Sequence, residues 1–121
     1  MMTKLSLLPS FDPNNWRTCH STITINTPRQ HVWAILSDFR AYDDWNPFTY
    51  AVEMPSFEVG EVFQFTVKLG QSERLQKELI TRIEAPDVMA WRYPFKDNIW
   101  LSPTRYQVLT PIDDMHTQYQ T

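Results

Sequence analysis

The sequence predicts an α+β fold in which N-terminal helices cover one face of a curved antiparallel β-sheet. Three observations predict it. A β-branched strand runs into a helix with a clear start signal, several later segments alternate polar and apolar residues between turn signals, and these segments carry rings and aliphatic side chains on one face. Such a sheet must bury its apolar face under a second layer. The 121 residues suit one domain.

The first strand and the first helix follow an irregular stretch. Residues 1–18 contain turn formers and no apolar period, so we expect an irregular N-terminal arm. From Cys19, the segment CHSTITIN alternates and is rich in β-branched residues, which predicts a strand. In TPRQHVWAILSDF, Thr27 occupies the N-cap position and Pro28 the first helical position. The helix then shows one apolar stripe, formed by Val32, Ile35, Leu36 and Phe39.

The heptad YDDWNPF (42–48) is expected to form at most one helical turn and then a sharp corner. Asn46 precedes Pro47, and a residue before proline is disfavoured in the α region. Asp43 and Asp44 could suggest a catalytic carboxylate pair, but adjacent residues on a helical turn point about 100° apart. We interpret them as a solvated surface turn and the heptad as a corner that shapes the fold.

After this corner the chain is predicted to form five or six antiparallel strands in a meander. The segment EVFQFTVKL (61–69) places Phe63 and Phe65 on one face. The apolar spacing in ERLQKELITRIE (73–84) also suits a helix, but a glycine turn before it and a proline after it favour a strand. If Lys77 points inward between two leucines, it is a candidate to bind an acidic ligand group, whereas a register slip of one residue sends it to solvent.

The last three segments also place rings on one face each. They are VMAWRYPF (88–95), NIWLSPTRYQVLTP (98–111) and MHTQYQT (115–121). The residues that share these faces are Met89, Trp91 and Tyr93 in the first segment, Trp100, Thr104, Tyr106 and Val108 in the second, and Tyr119 in the third. Two interpretations of the ring faces stay open at this point, a packed core or the wall of a ligand cavity.

Composition and charge exclude several classes of protein. The net charge is −3 and no basic stripe is present, so we expect no nucleic-acid partner. Cys19 is the only cysteine, which allows no internal disulfide and favours a cytoplasmic location. The apolar run near the N-terminus is too short for a secretory signal, and no segment is long enough to span a membrane.

No arrangement of residues indicates catalysis or metal binding. His20, His31 and His116 show no metal-ligand spacing, and no cysteine lies near them to complete a zinc set. The sequence has neither a nucleophile elbow nor a glycine-rich phosphate loop. We therefore predict no catalytic residues, no metal and no cofactor.

The segment TINTPRQHVWAILSDFRAYDDWNPF resembles the opening of SRPBCC, or START-like, helix-grip proteins, especially the polyketide cyclase/dehydrase-like branch. The resemblance extends over residues 19–121. The matching positions are Pro28, Val32, Trp33, Leu36, Asp38, Phe39, Tyr42, Trp45, Asn46, Pro47, Phe48, Ala85, Pro86 and Trp91. The resemblance implies a helix-grip fold with a hydrophobic cavity between the curved sheet and a long C-terminal helix. It implies ligands such as lipids, hormones, polyketides or other apolar molecules.

The sequence departs from this family pattern in two places. Thr104 stands where many relatives carry a histidine, which weakens a catalytic role at that position. The chain also ends in a predicted strand, and a covering helix of about 30 Å would need roughly 20 further residues. We therefore expect residues 19–121 to form a helix-grip domain that is incomplete at its C-terminus.

The resemblance implies that the ring-bearing faces line a ligand cavity. The candidate ligand-binding residues are Trp33, Trp45, Phe48, Phe63, Phe65, Lys77, Trp91, Tyr93, Trp100, Thr104, Tyr106 and Tyr119. The leading hypothesis is the binding of an apolar or aromatic small molecule, lipid-like or polyketide-like, without covalent chemistry. One alternative is a polyketide cyclase or dehydratase. Another is an interaction module, such as a homodimer, that uses the uncovered sheet face.

Overall fold

The structure is a computed structural model, and it describes residues 19–94 and 104–121. Within these ranges seven strands form one antiparallel sheet with the spatial order β1-β7-β6-β5-β4-β3-β2. A helix, α1 (Arg29–Ser37), and a 3₁₀ helix (Phe39–Asp44) connect the first two strands. The strands are β1 (Thr22–Ile25), β2 (Thr49–Glu53), β3 (Val62–Leu69), β4 (Ser72–Glu84), β5 (Val88–Arg92), β6 (Thr104–Asp113) and β7 (His116–Gln120). The predicted α+β helix-grip class is confirmed.

The strands β2 to β7 form the predicted meander, because each pairs with the next one along the chain. The segment 73–84 is a strand, as its flanking turns indicate. A two-residue loop joins β3 to β4, since Leu69 pairs with Ser72. Gly70 has a φ of 62° in this loop, a conformation that favours glycine and suits a tight hairpin turn.

The start of α1 differs from the predicted start by one residue. Pro28, with a ψ of 146°, is the N-cap residue, so it cannot be the first helical residue. Its carbonyl accepts hydrogen bonds from the backbone N–H groups of His31 and Val32. The Thr27 side chain does not cap the helix; the Thr27 carbonyl instead accepts a hydrogen bond of 2.7 Å from the Thr117 hydroxyl in β7. This bond fastens the helix start to the sheet.

The corner at residues 42–48 depends on polar side chains that bind the backbone. The Asn46 side-chain oxygen accepts hydrogen bonds from the N–H groups of Phe48 and Thr49, at 2.9 and 3.0 Å. The Asp43 carboxylate accepts one of 2.8 Å from the N–H of Ala51 in β2. Asp43 is therefore a structural residue of the corner as well as an exposed acid, because it holds the following strand in place.

The main hydrophobic cluster lies on one face of the sheet, beneath α1 and the 3₁₀ helix. We name this the inner face and define it by Phe63, Phe65, Ile80, Met89 and Trp91. The opposite side is the outer face. The buried residues of this core are Phe39, Tyr42, Met54, Phe63, Phe65, Ile80 and Met89. The two helices therefore act as the second layer that the sequence requires.

Candidate functional site

The inner face carries a cluster of aromatic rings. Phe39, from the 3₁₀ helix, lies at its centre, with ring centroids 5.2 Å from Phe63 and 5.6 Å from Trp91. Phe63 also stacks on Phe65 at 5.5 Å. These separations are those of favourable aromatic pairs. We call Phe39, Phe63, Phe65 and Trp91 the ring cluster.

Further apolar side chains continue from this core and stay partly accessible. Seven of them pack against it while being only partly buried: Trp33, Leu36, Val52, Phe57, Val67, Ile83 and Trp91. Trp33 lies edge-on to Phe57 at 6.4 Å. The inner face thus combines a closely packed centre with apolar surface that a ligand can contact.

Lys77 does not point toward the inner face, so the expectation that it does is wrong. In the β3–β4 pairing, Phe65 lies opposite Gln76 and Gln64 lies opposite Lys77. Because side chains alternate along a strand, Lys77 belongs to the outer face with Gln64, and it is exposed. One residue of register separates the expected arrangement from the observed one.

The inward positions of β4 are instead Gln76 and Glu78, which the sequence analysis did not select. Glu78 lies opposite Phe63 across the strand pair. The two-residue turn after Leu69 could have revealed this, because it sets the register of the whole hairpin. A carboxylate thus lies beside the ring cluster.

Only one of the two Glu78 carboxylate oxygens accepts a hydrogen bond. Its Oε1 accepts a weak hydrogen bond of 3.3 Å from the Gln76 amide, and its Oε2 is buried without a hydrogen-bond partner. Burial raises the pKa of Glu78, while the Gln76 hydrogen bond and the positive charge of Arg105 oppose that rise. The site therefore holds an acid whose ionised form is penalised by its surroundings.

A hydrogen-bond network occupies the neighbouring part of the inner face. The Tyr119 hydroxyl donates to the Gln107 side-chain oxygen, and the Gln107 amide donates to the Thr121 hydroxyl at 2.9 Å. Gln107 is 5% exposed, so both ends of its amide need these partners. Burial raises the pKa of Tyr119, and the Thr121 hydrogen bond and the charge of Arg105 oppose the rise.

Thr104 and Tyr106 lie on the outer face, which corrects their predicted orientation. Across β5–β6, Met89 lies opposite Gln107, whereas Ala90 lies opposite Tyr106. The alternation of polar and apolar residues could not show which face of β6 points inward, because Val108 on one face is 0% exposed and Leu109 on the other is 1% exposed. At these two positions both faces of β6 carry a buried apolar residue, so neither face is marked as the polar one in the sequence.

The other predicted residues fall into three groups. Trp33, Trp91, Tyr93 and Tyr119 are partly buried. Trp45 and Phe48 border the corner and are 47% and 64% exposed. Trp100 and the arm of residues 1–18 lie outside the described residues.

The described residues lack two features, a metal-binding cluster and a membrane-spanning helix. In 19–94 and 104–121, no group of three or more His, Cys, Asp or Glu side chains could hold a metal ion. Across the same ranges, no helix has the length and apolar character that crossing a membrane would require.

Comparison with known proteins gave one family match. A family model described as "Polyketide cyclase / dehydrase and lipid transport" matches residues 17–110. A search of curated proteins found no match.

The solved structures that resemble this chain share its fold at low sequence identity. The Zhui aromatase/cyclase from a Streptomyces species has a TM-score of 0.71 and 23% identity over 84% of this chain and 62% of its own. A START superfamily protein from Mycobacterium smegmatis gives a TM-score of 0.70 and 15% identity over 84% of this chain and 71% of its own. The ginseng major latex-like protein 151 from Panax ginseng gives 0.68 and 11%, over 84% and 74%. The chain thus spans less than two thirds of the length of the Zhui protein.

Proposed function

The chain belongs to the polyketide cyclase/dehydrase and lipid transport family, and from this premise we propose that it binds an apolar or aromatic small molecule without covalent chemistry. The ligand is lipid-like or polyketide-like and lies against the inner face of the sheet. One observation carries the proposal: the partly buried apolar side chains around the ring cluster are bordered by a few polar groups. Small-molecule sites typically combine apolar walls with a few placed polar groups.

A thermal-shift screen tests this proposal. We expect at least one member of a panel of fatty acids, sterols and aromatic polyketides to raise the unfolding midpoint. A ligand present at 100 times its Kd should stabilise the folded state by about 2.7 kcal/mol. A panel in which no compound raises the midpoint would contradict the proposal.

A pair of variants locates the binding surface. Trp91→Leu removes a ring from the inner face, and we expect it to weaken binding of a hit from the screen at least fivefold. Leu75→Ala is the control, because Leu75 is 62% exposed and lies on the outer face, opposite Thr66. Equal loss of affinity in both variants would exclude the inner face as the specific surface.

A polyketide cyclase or dehydratase is the second candidate, favoured by the family description and by the aromatase/cyclase among the similar structures. Such chemistry can depend mainly on holding a flexible chain in the reactive shape. Tyr93 and Tyr119 are partly buried residues whose hydroxyl groups could exchange a proton with a substrate through water. With a poly-β-ketone thioester as substrate, turnover that persists in the double variant Tyr93→Phe, Tyr119→Phe would exclude that role.

A further inference from the structure

A set of polar side chains borders the ring cluster on β4, β6 and β7. We call Gln76, Glu78, Arg105, Gln107 and Tyr119 the polar rim. Glu78 lies opposite Phe63, and Arg105 lies opposite Trp91, so the rim and the rings are direct neighbours in the sheet. A ligand whose apolar body contacts the rings therefore brings its substituents to the rim.

The two amides of the rim are hydrogen-bonded to neighbouring side chains. The Gln107 amide donates to Thr121 and its oxygen accepts from Tyr119. The Gln76 amide donates to Glu78 Oε1. Glu78 Oε2 differs from these groups, because it is buried and has no hydrogen-bond partner. A buried polar atom in this state costs free energy that a suitable donor would recover.

The chemistry of the unpaired atom selects the ligand group. An ionised carboxylate accepts hydrogen bonds and donates none, so Glu78 Oε2 suits an O–H or N–H donor. A ligand carboxylate would place a second negative charge beside Glu78, and like charges at close range repel. Arg105 is exposed and its charge acts on both Glu78 and Tyr119, so it favours the ionised form of Glu78.

We propose that Glu78 recognises a hydroxyl group on an apolar ligand, with the hydroxyl donating a hydrogen bond to Glu78 Oε2 and the apolar body lying against the ring cluster. This inference rests on the proposed binding function and adds the chemical class of the ligand. Hydroxylated aromatic or aliphatic molecules are bound in preference to their unsubstituted parents and to the corresponding carboxylates.

Three probes with the same ring system measure this preference: naphthalene, 2-naphthol and 2-naphthoic acid. Their Kd values are measured by equilibrium dialysis at pH 7, where the naphthol hydroxyl is protonated. We expect 2-naphthol to bind the unmodified protein about tenfold more tightly than naphthalene, as a hydrogen bond to a charged acceptor allows. We expect 2-naphthoic acid to bind more weakly than 2-naphthol.

Two substitutions at Glu78 assign the preference to this side chain. Glu78→Leu removes the acceptor. We expect the Kd of naphthalene divided by the Kd of 2-naphthol to fall from about ten to about two or less in this variant. Glu78→Gln keeps the shape with a neutral acceptor, so its ratio should lie between the two values, with the naphthalene Kd unchanged. Glu58→Gln is the matched control, because Glu58 is exposed in the turn before β3 and removing its charge should leave every Kd unchanged.

The outcomes separate this inference from the proposed function. Equal Kd values for naphthalene and 2-naphthol, a preference that persists in Glu78→Leu, or tightest binding of 2-naphthoic acid would each overturn the hydroxyl assignment while leaving apolar binding intact. If none of the three probes binds, the proposed function fails for aromatic ligands and the inference fails with it.

Discussion

At the scale of single residues, polar side chains decide the shape of the corner between α1 and β2. The two adjacent acids look equivalent in the sequence, yet the structure gives them different tasks. Asp43 accepts a hydrogen bond from the N–H of Ala51, whose φ is 53°, while Asp44 is exposed. A non-glycine residue with positive φ is strained, so the Asp43 contact helps to maintain that conformation.

Substitution of the two acids tests this difference. We expect Asp43→Ala to lower the free energy of unfolding by about 1 kcal/mol, because it leaves the Ala51 N–H without its partner. Asp44→Ala is the matched control and should change stability by less than about 0.5 kcal/mol. Urea denaturation measures both, and equal losses would show that the Asp43 contact has no special role.

Glu78 links stability to pH. Burial raises its folded-state pKa above the unfolded value, although Gln76 and Arg105 oppose the rise, so ionising this acid costs more in the folded protein than in the unfolded chain. The stability associated with this group is fully present below the unfolded pKa and is lost as the pH rises through the folded pKa.

Glu78→Gln should therefore stabilise the protein at pH 7 and have little effect at pH 3.5. Because Glu78 is only partly buried, we expect a gain of up to about 1 kcal/mol at pH 7. Chemical denaturation at the two pH values measures the difference, with Glu58→Gln as the exposed control. A Glu78→Gln protein that is less stable than the unmodified one at pH 7 would contradict this account.

At the scale of elements, the β3–β4 hairpin sets which side chains face the site. Its two-residue loop pairs Leu69 with Ser72, and every later pair follows from that register. Gln76 and Glu78 face inward and Lys77 outward as a direct result. The flanking turns predict the strand itself. Which of its residues face inward depends on the register that the two-residue loop sets.

Substitutions at Gly70 test the contribution of the turn. An added Cβ would meet no atom within 4 Å, so only the backbone conformation opposes a side chain there. We expect Gly70→Ala to lower the free energy of unfolding by about 1 kcal/mol, whereas Gly70→Asn should cost less, because asparagine tolerates positive φ. Thermal denaturation compares the two variants, and equal costs would argue against a conformational origin.

At the scale of the whole molecule, the inner face leaves apolar side chains exposed toward both edges of the sheet. Ile23, in β1 opposite Tyr119, is 52% exposed, and Leu69, at the end of β3, is 64% exposed. The two residues lie on strands that four other strands separate, so together they test both ends of this face.

Self-association through this surface is the expectation to test. We expect sedimentation velocity to show a concentration-dependent dimer, and the double variant Ile23→Lys, Leu69→Lys to weaken its formation at least tenfold. Val59→Lys is the control, because Val59 is 60% exposed in the turn before β3. A single monomeric species at high concentration in the unmodified protein would exclude this mode of association.

The sequence by itself determined the order of the elements, the α+β class and the family resemblance, because caps, turns and apolar periods are local properties of the chain. The presence of α1, the Asn46-Pro47 corner and the strands β3 and β4 were predictable in this way, whereas the first residue of α1 was placed one position too early. Local alternation also placed Phe63 and Phe65 on one face of their strand.

Only the tertiary structure decided which polar groups meet the rings. The β5–β6 pairing turns Thr104 and Tyr106 outward and Gln107 inward. The alternation of β6 could not show this, because Val108 and Leu109 are buried on opposite faces. Glu78 became a candidate site residue because pairing with β3 placed it opposite Phe63 and left its Oε2 without a partner. Strand register and desolvation arise from contacts between segments distant in the chain, and no local pattern contains them.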